Sequence, residues 1–139
     1  VMPVDLRAPI RVYMTKKLIG VKPDDTVKRA GEVMVEFDIG SLVVVDENGD
    51  VVGFLTKGDI IRRMVIPGLP NTTPVKEIMT KDLVTVPSTA PLGEVLDLLS
   101  KKGIKHVLVE EEGKIVGIFS ISDLLEASRR RLETAIAAE

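Results

Sequence analysis

Two short motifs place a hydroxyl residue three positions before a carboxylate. Residues 56–59 have the sequence Thr-Lys-Gly-Asp, and residues 120–123 have the sequence Ser-Ile-Ser-Asp. At the start of a helix, a hydroxyl and the exposed backbone N–H groups can hold an anionic group, which the helix dipole also attracts. A motif of this kind that occurs twice predicts two similar sites, which favours ligand binding over catalysis.

The same spacing has a purely structural explanation. A Ser or Thr three residues before an acid is the capping box that begins many helices, and a single occurrence favours that interpretation. Both motifs, however, follow a hydrophobic strand that contains a glycine, Gly53 or Gly117, where a missing side chain leaves room for a ring or a backbone. The two roles can coexist, and both stay open.

The motifs belong to a larger duplication. The segment Pro9–Lys16 returns as Pro74–Lys81, and Gly53–Asp59 returns as Gly117–Asp123. The offset is 65 residues for the first match and 64 for the second, so the repeat covers almost the whole chain. A stacked array needs about three or more units. We therefore expect two facing half-domains.

Each copy predicts the element order β-α-β-β-α, and hence an α+β fold. For the first copy we expect a helical turn from Pro9, a strand at Leu18–Val21, an amphipathic helix after Thr26, strands at Leu42–Val45 and Val51–Leu55 around an Asn48-Gly49 turn, and a helix from Thr56 to Ile66. For the second we expect a strand at Leu83–Val86, a helix at Leu92–Lys101, a turn at Glu112-Gly113, and a closing helix from about Asp123 to Ala138.

The resulting organisation is one compact module of five segments. They are an N-terminal extension (1–8), repeat 1 (9–66), a turn-rich linker (67–73), repeat 2 (74–126) and a C-terminal helical extension (127–139).

Composition excludes several classes of function. The chain has 139 residues, 45% of them apolar, and a formal net charge of −2, which gives no electrostatic footprint for nucleic acid. No apolar run approaches the roughly 20 residues of a membrane-spanning helix. Pro3, Asp5 and Arg7 interrupt any signal-peptide pattern, so we expect a cytoplasmic protein without membrane attachment.

Enzymatic chemistry finds no support in the sequence. There is no cysteine, and His106 is the only histidine, without a second metal ligand at helical spacing. No glycine-rich phosphate or dinucleotide fingerprint occurs. We expect neither a catalytic residue nor a metal site nor a required cofactor. The absence of glutamine and the presence of only two asparagines are typical of thermophile proteins.

Taken in order, the motifs resemble a known family. Each copy has Met-Thr, a short strand and a proline, then an amphipathic helix that ends at Ile39-Gly40-Ser41 or Ile104-Lys105-His106, then a hairpin, a glycine with hydrophobic residues, and Thr/Ser-x-x-Asp. The chain is similar in this to a pair of cystathionine-β-synthase-type (CBS) domains, from about Pro9 to Leu125. The resemblance implies a stand-alone tandem CBS protein whose repeats are related by a pseudo-twofold axis and packed through their sheets.

The resemblance also implies a ligand class. CBS pairs sense adenosine-containing compounds (AMP, ADP, ATP, or S-adenosylmethionine in some members) in clefts between the two sheets. Residues assigned to nucleotide binding in the first copy are Ile19, Ile39, Gly40, Phe54, Thr56, Gly58 and Asp59. Those in the second copy are Val84, Ile104, Lys105, His106, Ile118, Ser120, Ser122 and Asp123. The hydroxyl would contact a phosphate, and the acid would accept both hydroxyls of a ribose.

Several of these residues have a second interpretation. Ile19 and Val84 would give adenine a backbone edge and an apolar wall, or they are plain strand core, as Phe54 and Ile118 also could be. Lys105 and His106 occupy positions that meet phosphates in the family, but a solvated lysine fits Lys105 equally well.

The two copies also differ in charge. Copy 1 has Gly40 and Ser41 where copy 2 has its basic residues, and Arg62 and Arg63 could compensate. Copy 2 has Glu126 three residues after its acid, where repulsion disfavours a polyphosphate. We therefore expect the two sites to differ in affinity or ligand.

The function that follows is a regulatory adenosine-nucleotide sensor that modulates a partner protein and forms a homodimer through its helices. The alternatives are a ligand-free dimerisation scaffold and, against the acidic charge balance, a nucleic-acid-binding protein.

Overall fold

The computed structural model describes residues 4–125. These residues form two compact units, one of residues 4–17 with 84–125 and the other of Leu18–Leu83. Each unit contains one three-stranded sheet and its helices. The predicted α+β fold with two repeats is confirmed. The predicted extension over 127–139 lies outside the described residues.

The unit of Leu18–Leu83 contains the first sheet. Its elements are β1 (Gly20–Val21), α1 (Val27–Phe37), β2 (Ser41–Val45), β3 (Val51–Thr56), α2 (Lys57–Ile60), which continues as a π-helical turn (Ile61–Val65), and α3 (Val75–Ile78). Strand β2 lies between β1, to which it is parallel, and β3, to which it is antiparallel. The core consists of Val21, Val27, Ala30, Val33, Met34, Leu42, Val44, Leu55, Val75, Ile78 and Met79.

Helix α1 shows why the local sequence folds as it does. The Thr26 hydroxyl accepts a hydrogen bond from the backbone N–H of Arg29 at 3.0 Å, which caps the first turn. The helix ends at Asp38, whose φ of 52° is left-handed. The residues between them that carry apolar side chains at helical spacing are buried against the sheet.

The other unit repeats this order. Its elements are a 3₁₀ turn (Ile10–Val12), β4 (Thr85–Pro87), α4 (Leu92–Lys102), β5 (His106–Glu111), β6 (Lys114–Ser120) and a helical segment at residues 121–125. Strand β5 is parallel to β4 and antiparallel to β6. The core consists of Ile10, Val86, Leu92, Val95, Leu99, Val107, Val109 and Phe119.

The two hairpins turn differently. Glu112 and Gly113 both have positive φ, 52° and 79°, as a two-residue type I′ turn requires. The first hairpin is longer than the tight Asn-Gly turn that the sequence predicts. Its loop is organised by Asp46, whose Oδ1 accepts hydrogen bonds from the N–H groups of Asn48 and Asp50 at 2.9 and 3.0 Å.

The opening segment of each repeat packs on the sheet of the other repeat. Thr80 and Phe54 exchange two backbone hydrogen bonds, of 2.8 and 2.9 Å, beside β3. Thr15 and Ile118 do the same beside β6, at 2.8 and 3.0 Å. The compact units therefore differ from the sequence repeats. The unit with the sheet of repeat 1 contains the opening segment of repeat 2, and the unit with the sheet of repeat 2 contains the opening segment of repeat 1.

Three predicted elements differ from the observed ones. The predicted strand at Leu18–Val21 is paired as a strand only from Gly20, and the one at Leu83–Val86 begins at Thr85. The helix predicted from Thr56 to Ile66 widens into a π-helical turn after Ile60. None of the helices within residues 4–125 has the length and apolar character that crossing a bilayer demands.

Candidate functional site

The Thr56–Asp59 motif is a complete capping box. The Thr56 hydroxyl accepts a hydrogen bond from the Asp59 N–H at 3.1 Å, and Asp59 Oδ2 accepts one from the Thr56 N–H at 3.0 Å. Asp59 is buried, with 4% of its surface exposed. The capping interpretation is therefore confirmed for the first copy.

The Ser120–Asp123 motif repeats this geometry. The Ser120 hydroxyl accepts from the Asp123 N–H at 3.3 Å, and Asp123 Oδ2 accepts from the Ser120 N–H at 3.1 Å. Ser120 is buried and Asp123 is half-buried. In register, Ser120 pairs with His106 across the sheet, just as Thr56 pairs with Ser41 in the other unit. The two candidate sites thus occupy equivalent positions in their sheets.

Asp59 has two further neighbours. The Thr80 hydroxyl donates a long hydrogen bond of 3.4 Å to Oδ2. On the other side of the carboxylate, Arg62 Nη2 lies 3.6 Å from Oδ1, and the arginine side chain is 64% exposed. Oδ2 is therefore committed to internal groups, whereas Oδ1 faces the exposed guanidinium of Arg62, which a ligand could replace.

The two glycines before the motifs do not leave the room for a ligand that the sequence predicts. A Cβ at Gly53 would overlap the sulfur of Met79, and a Cβ at Gly117 would overlap the sulfur of Met14. Each space is filled by a methionine from the opening segment of the other repeat. The space at both glycines is therefore filled by close methionine packing and not by a ring, and at Gly117 the backbone carbonyl of Thr15 also approaches, at 3.0 Å from the position of a Cβ.

Gly40 is accompanied by a lysine that the sequence interpretation missed. The Lys57 N–H donates to the Gly40 carbonyl at 3.0 Å. A Cβ at position 40 would lie 3.6 Å from both Cδ and Cε of Lys57, so the lysine stem runs over the glycine. Copy 1 therefore places a basic side chain where a basic residue appeared to be missing.

Arg63 has a different role from the phosphate contact that the sequence predicts. Its Nη1 donates to the carbonyls of Ile78 and Met79, both at 3.1 Å. The guanidinium thus fastens the end of α3 to the π-helical turn. Of the two arginines, only Arg62 lies beside the motif. Arg63 was expected to contribute to a phosphate site, but its observed contacts are structural.

The apolar residues of the predicted sites are all at least half-buried. Phe54 and Ile118 are buried, and Ile19, Ile39, Val84 and Ile104 are half-buried against their respective sheets. The carbonyl of Ile19 accepts from Val43 at 3.1 Å, and that of Val84 accepts from Leu108 at 2.9 Å. Each of these two carbonyls therefore has one partner within its sheet, and the predicted backbone edge for adenine stays a prediction.

The remaining predicted residues lie around the motifs. Lys105 and Ser122 are exposed, Gly58 is half-buried within the first motif, and His106 is half-buried at the start of β5. Across residues 4–125, no three His, Cys, Asp or Glu side chains converge as a metal site would need. Thr80 and Lys57 are the polar residues that sequence reasoning overlooked; the duplicated Met-Thr pair was the only signal for Thr80.

Comparison with known proteins identifies the architecture. The CBS domain family matches residues 10–66 and 75–130. The chain is 61% identical to an uncharacterized conserved protein from Pyrococcus horikoshii, with a TM-score of 0.86; the match covers 91% of this chain and 96% of that one. It is 31% identical to the CBS domain-containing protein YhcV of Bacillus subtilis over 115 residues, which are 83% of this chain and 81% of that protein.

A third similar structure was solved with ligands. The CBS domain pair of protein MJ0100, in complex with 5′-methylthioadenosine and S-adenosyl-L-methionine, is 25% identical with a TM-score of 0.75. The match covers 88% of this chain and 97% of that one. The two family matches together include most of the sequence, and the repeated fold and these neighbours agree with them. The chain therefore belongs to the CBS domain family, whose paired domains are regulatory ligand-binding modules.

Proposed function

We propose that this chain is a regulatory module that binds an adenosine nucleotide of the AMP, ADP or ATP type and modulates a partner protein. The observation that carries the proposal is the placement of the acid and hydroxyl motif. It occurs at the end of the last strand of both sheets, in the same register and with the same hydrogen bonds. Two equivalent polar sites, one in each sheet, suit ligand sensing.

Capping and binding are compatible in these motifs. A hydroxyl has one donor and two acceptor positions, and the cap uses an acceptor position of Thr56 or Ser120. The O–H proton is left to donate to a phosphate. Likewise, the cap engages only Oδ2 of each carboxylate, so that Oδ1 is left to accept from a ribose hydroxyl. The same side chains can therefore cap the helix and bind a ligand with the hydrogen-bonding positions that the cap does not use.

The ligand class rests partly on a relative. The CBS pair of MJ0100 was solved with 5′-methylthioadenosine and S-adenosyl-L-methionine, both of which contain adenosine. S-adenosylmethionine is therefore the second ligand to be tested beside the nucleotides. A ligand regulates a partner only through different affinities for two arrangements of the protein, so the proposal includes two such arrangements.

A ligand-free dimerisation scaffold is the second candidate function. Large apolar side chains are exposed on the segment that follows Asp59, namely Ile61, Val65, Ile66 and Leu69. Burial of such a group against a second copy would stabilise a homodimer. We propose a homodimer under both candidate functions; they differ in whether a ligand binds.

Calorimetric titration separates the two. The protein is titrated with AMP, ADP, ATP and S-adenosylmethionine, and the titration is repeated with Asp59→Asn and Asp123→Asn, which keep the side-chain shape. We expect saturable binding of at least one compound, weakened at least tenfold by one of the substitutions, which corresponds to about 1.4 kcal/mol. An absence of heat with every compound would favour the scaffold. Salt-dependent retention of DNA or RNA would instead favour nucleic-acid binding.

A further inference from the structure

We infer that the first site is the one that accepts a phosphorylated ligand, and that Lys57 and Arg62 select it by charge. The inference rests on the proposed function and adds to it a division of labour between the two copies. It assigns AMP-type ligands to the site of Asp59. It leaves the site of Asp123 to adenosine compounds without a phosphate.

The first argument is an exchange of residue types between the copies. The pairing of Ser41 with Thr56, and of His106 with Ser120, aligns the two sites residue by residue. In this alignment Gly40 corresponds to Lys105, and Lys57 corresponds to Ile121.

Each copy thus carries one lysine at these two positions, but in copy 1 it follows the last strand and in copy 2 it precedes the middle strand. The stem of Lys57 runs across Gly40, in van der Waals contact with the position that a Cβ would occupy there. The lysine of copy 1 therefore takes over the region that the side chain of residue 40 would fill.

The second argument is Arg62. At this position of the motif alignment, copy 1 has a cationic residue and copy 2 does not. Its guanidinium lies against Gly58: a Cβ at that position would be 2.8 Å from Nη1 and 2.9 Å from Nη2. The glycine therefore lets the arginine approach the backbone of the motif. Copy 2 has Ser122 in place of Gly58 and, in the sequence, Glu126 in place of Arg62; Glu126 lies outside the described residues.

The contact between Arg62 and Asp59 is suited to exchange. At 3.6 Å, with a side chain that is 64% exposed, it is a loose ion pair of the kind that contributes little stability. A phosphate would offer the guanidinium charge-assisted and bidentate hydrogen bonds, which are shorter and stronger. A ribose hydroxyl would take the place of the arginine at Oδ1. Ligand binding would therefore replace one weak contact by two better ones.

The resulting charges differ. Lys57 and Arg62 outnumber Asp59 in the first site, whereas in the second the single lysine, Lys105, is matched by the single carboxylate, Asp123. Because opposite charges attract over several ångströms near a protein surface, the first site favours an anion and the second does not.

The experiment compares AMP with adenosine, which differ only in the phosphate. Both are titrated into the full chain and into Arg62→Glu, which gives copy 1 the residue type of copy 2. We expect Arg62→Glu to weaken AMP binding at least tenfold and to change adenosine binding less than twofold. Lys57→Ile, which mirrors Ile121, is expected to act in the same direction. A matched control is Arg29→Glu, an exposed charge reversal on α1.

The remaining variants decide between sites. Lys105→Gly, the mirror change in copy 2, is expected to weaken AMP binding less than Arg62→Glu does. An unaltered ratio of AMP to adenosine affinity in Arg62→Glu would overturn the inference, as would loss of AMP binding in Lys105→Gly alone. In both cases the wild-type protein still binds adenosine compounds and the proposed function stands. If the wild-type protein binds none of them, the proposed function fails and this inference fails with it.

Discussion

The Thr80 hydroxyl donates a hydrogen bond of 3.4 Å to Oδ2 of Asp59, although the two residues are 21 positions apart in the sequence. Thr80 belongs to the opening segment of repeat 2, and Asp59 is the acid of the first site. The same segment is held by Arg63, whose Nη1 contacts the carbonyls of Ile78 and Met79 at 3.1 Å. Any ligand that changes the surroundings of Asp59 therefore acts on a segment that begins the other repeat.

Removal of the Thr80 hydroxyl tests this link. Thr80→Val is expected to lower the free energy of unfolding by about 0.5–1 kcal/mol, because a buried carboxylate loses one of its donors. The measurement is urea unfolding. Thr15→Val is the matched control, since the Thr15 hydroxyl instead accepts from the exposed N–H of Lys17 at 3.4 Å. An equal loss in both variants would show that the Asp59 contact contributes nothing specific.

Gly53→Ala tests the methionine packing. The added methyl group would overlap Met79, so we expect a loss of about 1–3 kcal/mol in the free energy of unfolding. Gly117→Ala is expected to cause a similar loss, because its added methyl group would overlap Met14.

Gly31→Ala is the control for both variants, because a Cβ there meets nothing within 4 Å. Inside α1 it should stabilise the protein by about 0.5–1 kcal/mol. The double variant Gly53→Ala with Met79→Ala should show strong coupling. Purely additive effects would exclude the overlap as the cause.

Arg63→Met removes the two hydrogen bonds to the end of α3 but keeps much of the side-chain volume. Bonds from a charged donor contribute about 1.5–3 kcal/mol, so we expect a clear fall in thermal stability. Arg62→Met should change it little, since that side chain is largely exposed. If both variants melt alike, the fastening role of Arg63 is disproved.

The dimer proposal has its own test. Ile66 is 74% exposed and follows the π-helical turn, so Ile66→Glu should convert a dimer into a monomer, as measured by light scattering during gel filtration. Val35→Glu, at an 82% exposed position of α1, is the control that should leave the mass unchanged. A wild-type protein that is already monomeric would contradict the proposal.

Sequence periodicity predicted the order β-α-β-β-α because helices and strands are set by residues close to one another along the chain. It failed at Gly53 and Gly117, whose partners Met79 and Met14 come from the opposite repeat. The π-helical turn was missed because one extra residue in a turn hardly alters an apolar pattern.

Lys57 was missed for a related reason. Its position over Gly40 depends on which residues of β2 and β3 pair with each other, and the structure is needed to show that pairing. The capping motifs themselves were predicted, since all of their contacts lie within four consecutive residues.

The exchange of opening segments makes the two copies inseparable. A fragment that contained only one repeat would expose an open groove beside its glycine, because the methionine that fills the groove lies in the other half. Met14 reaches Gly117 only after the chain has closed a loop of about a hundred residues, which delays this contact during folding.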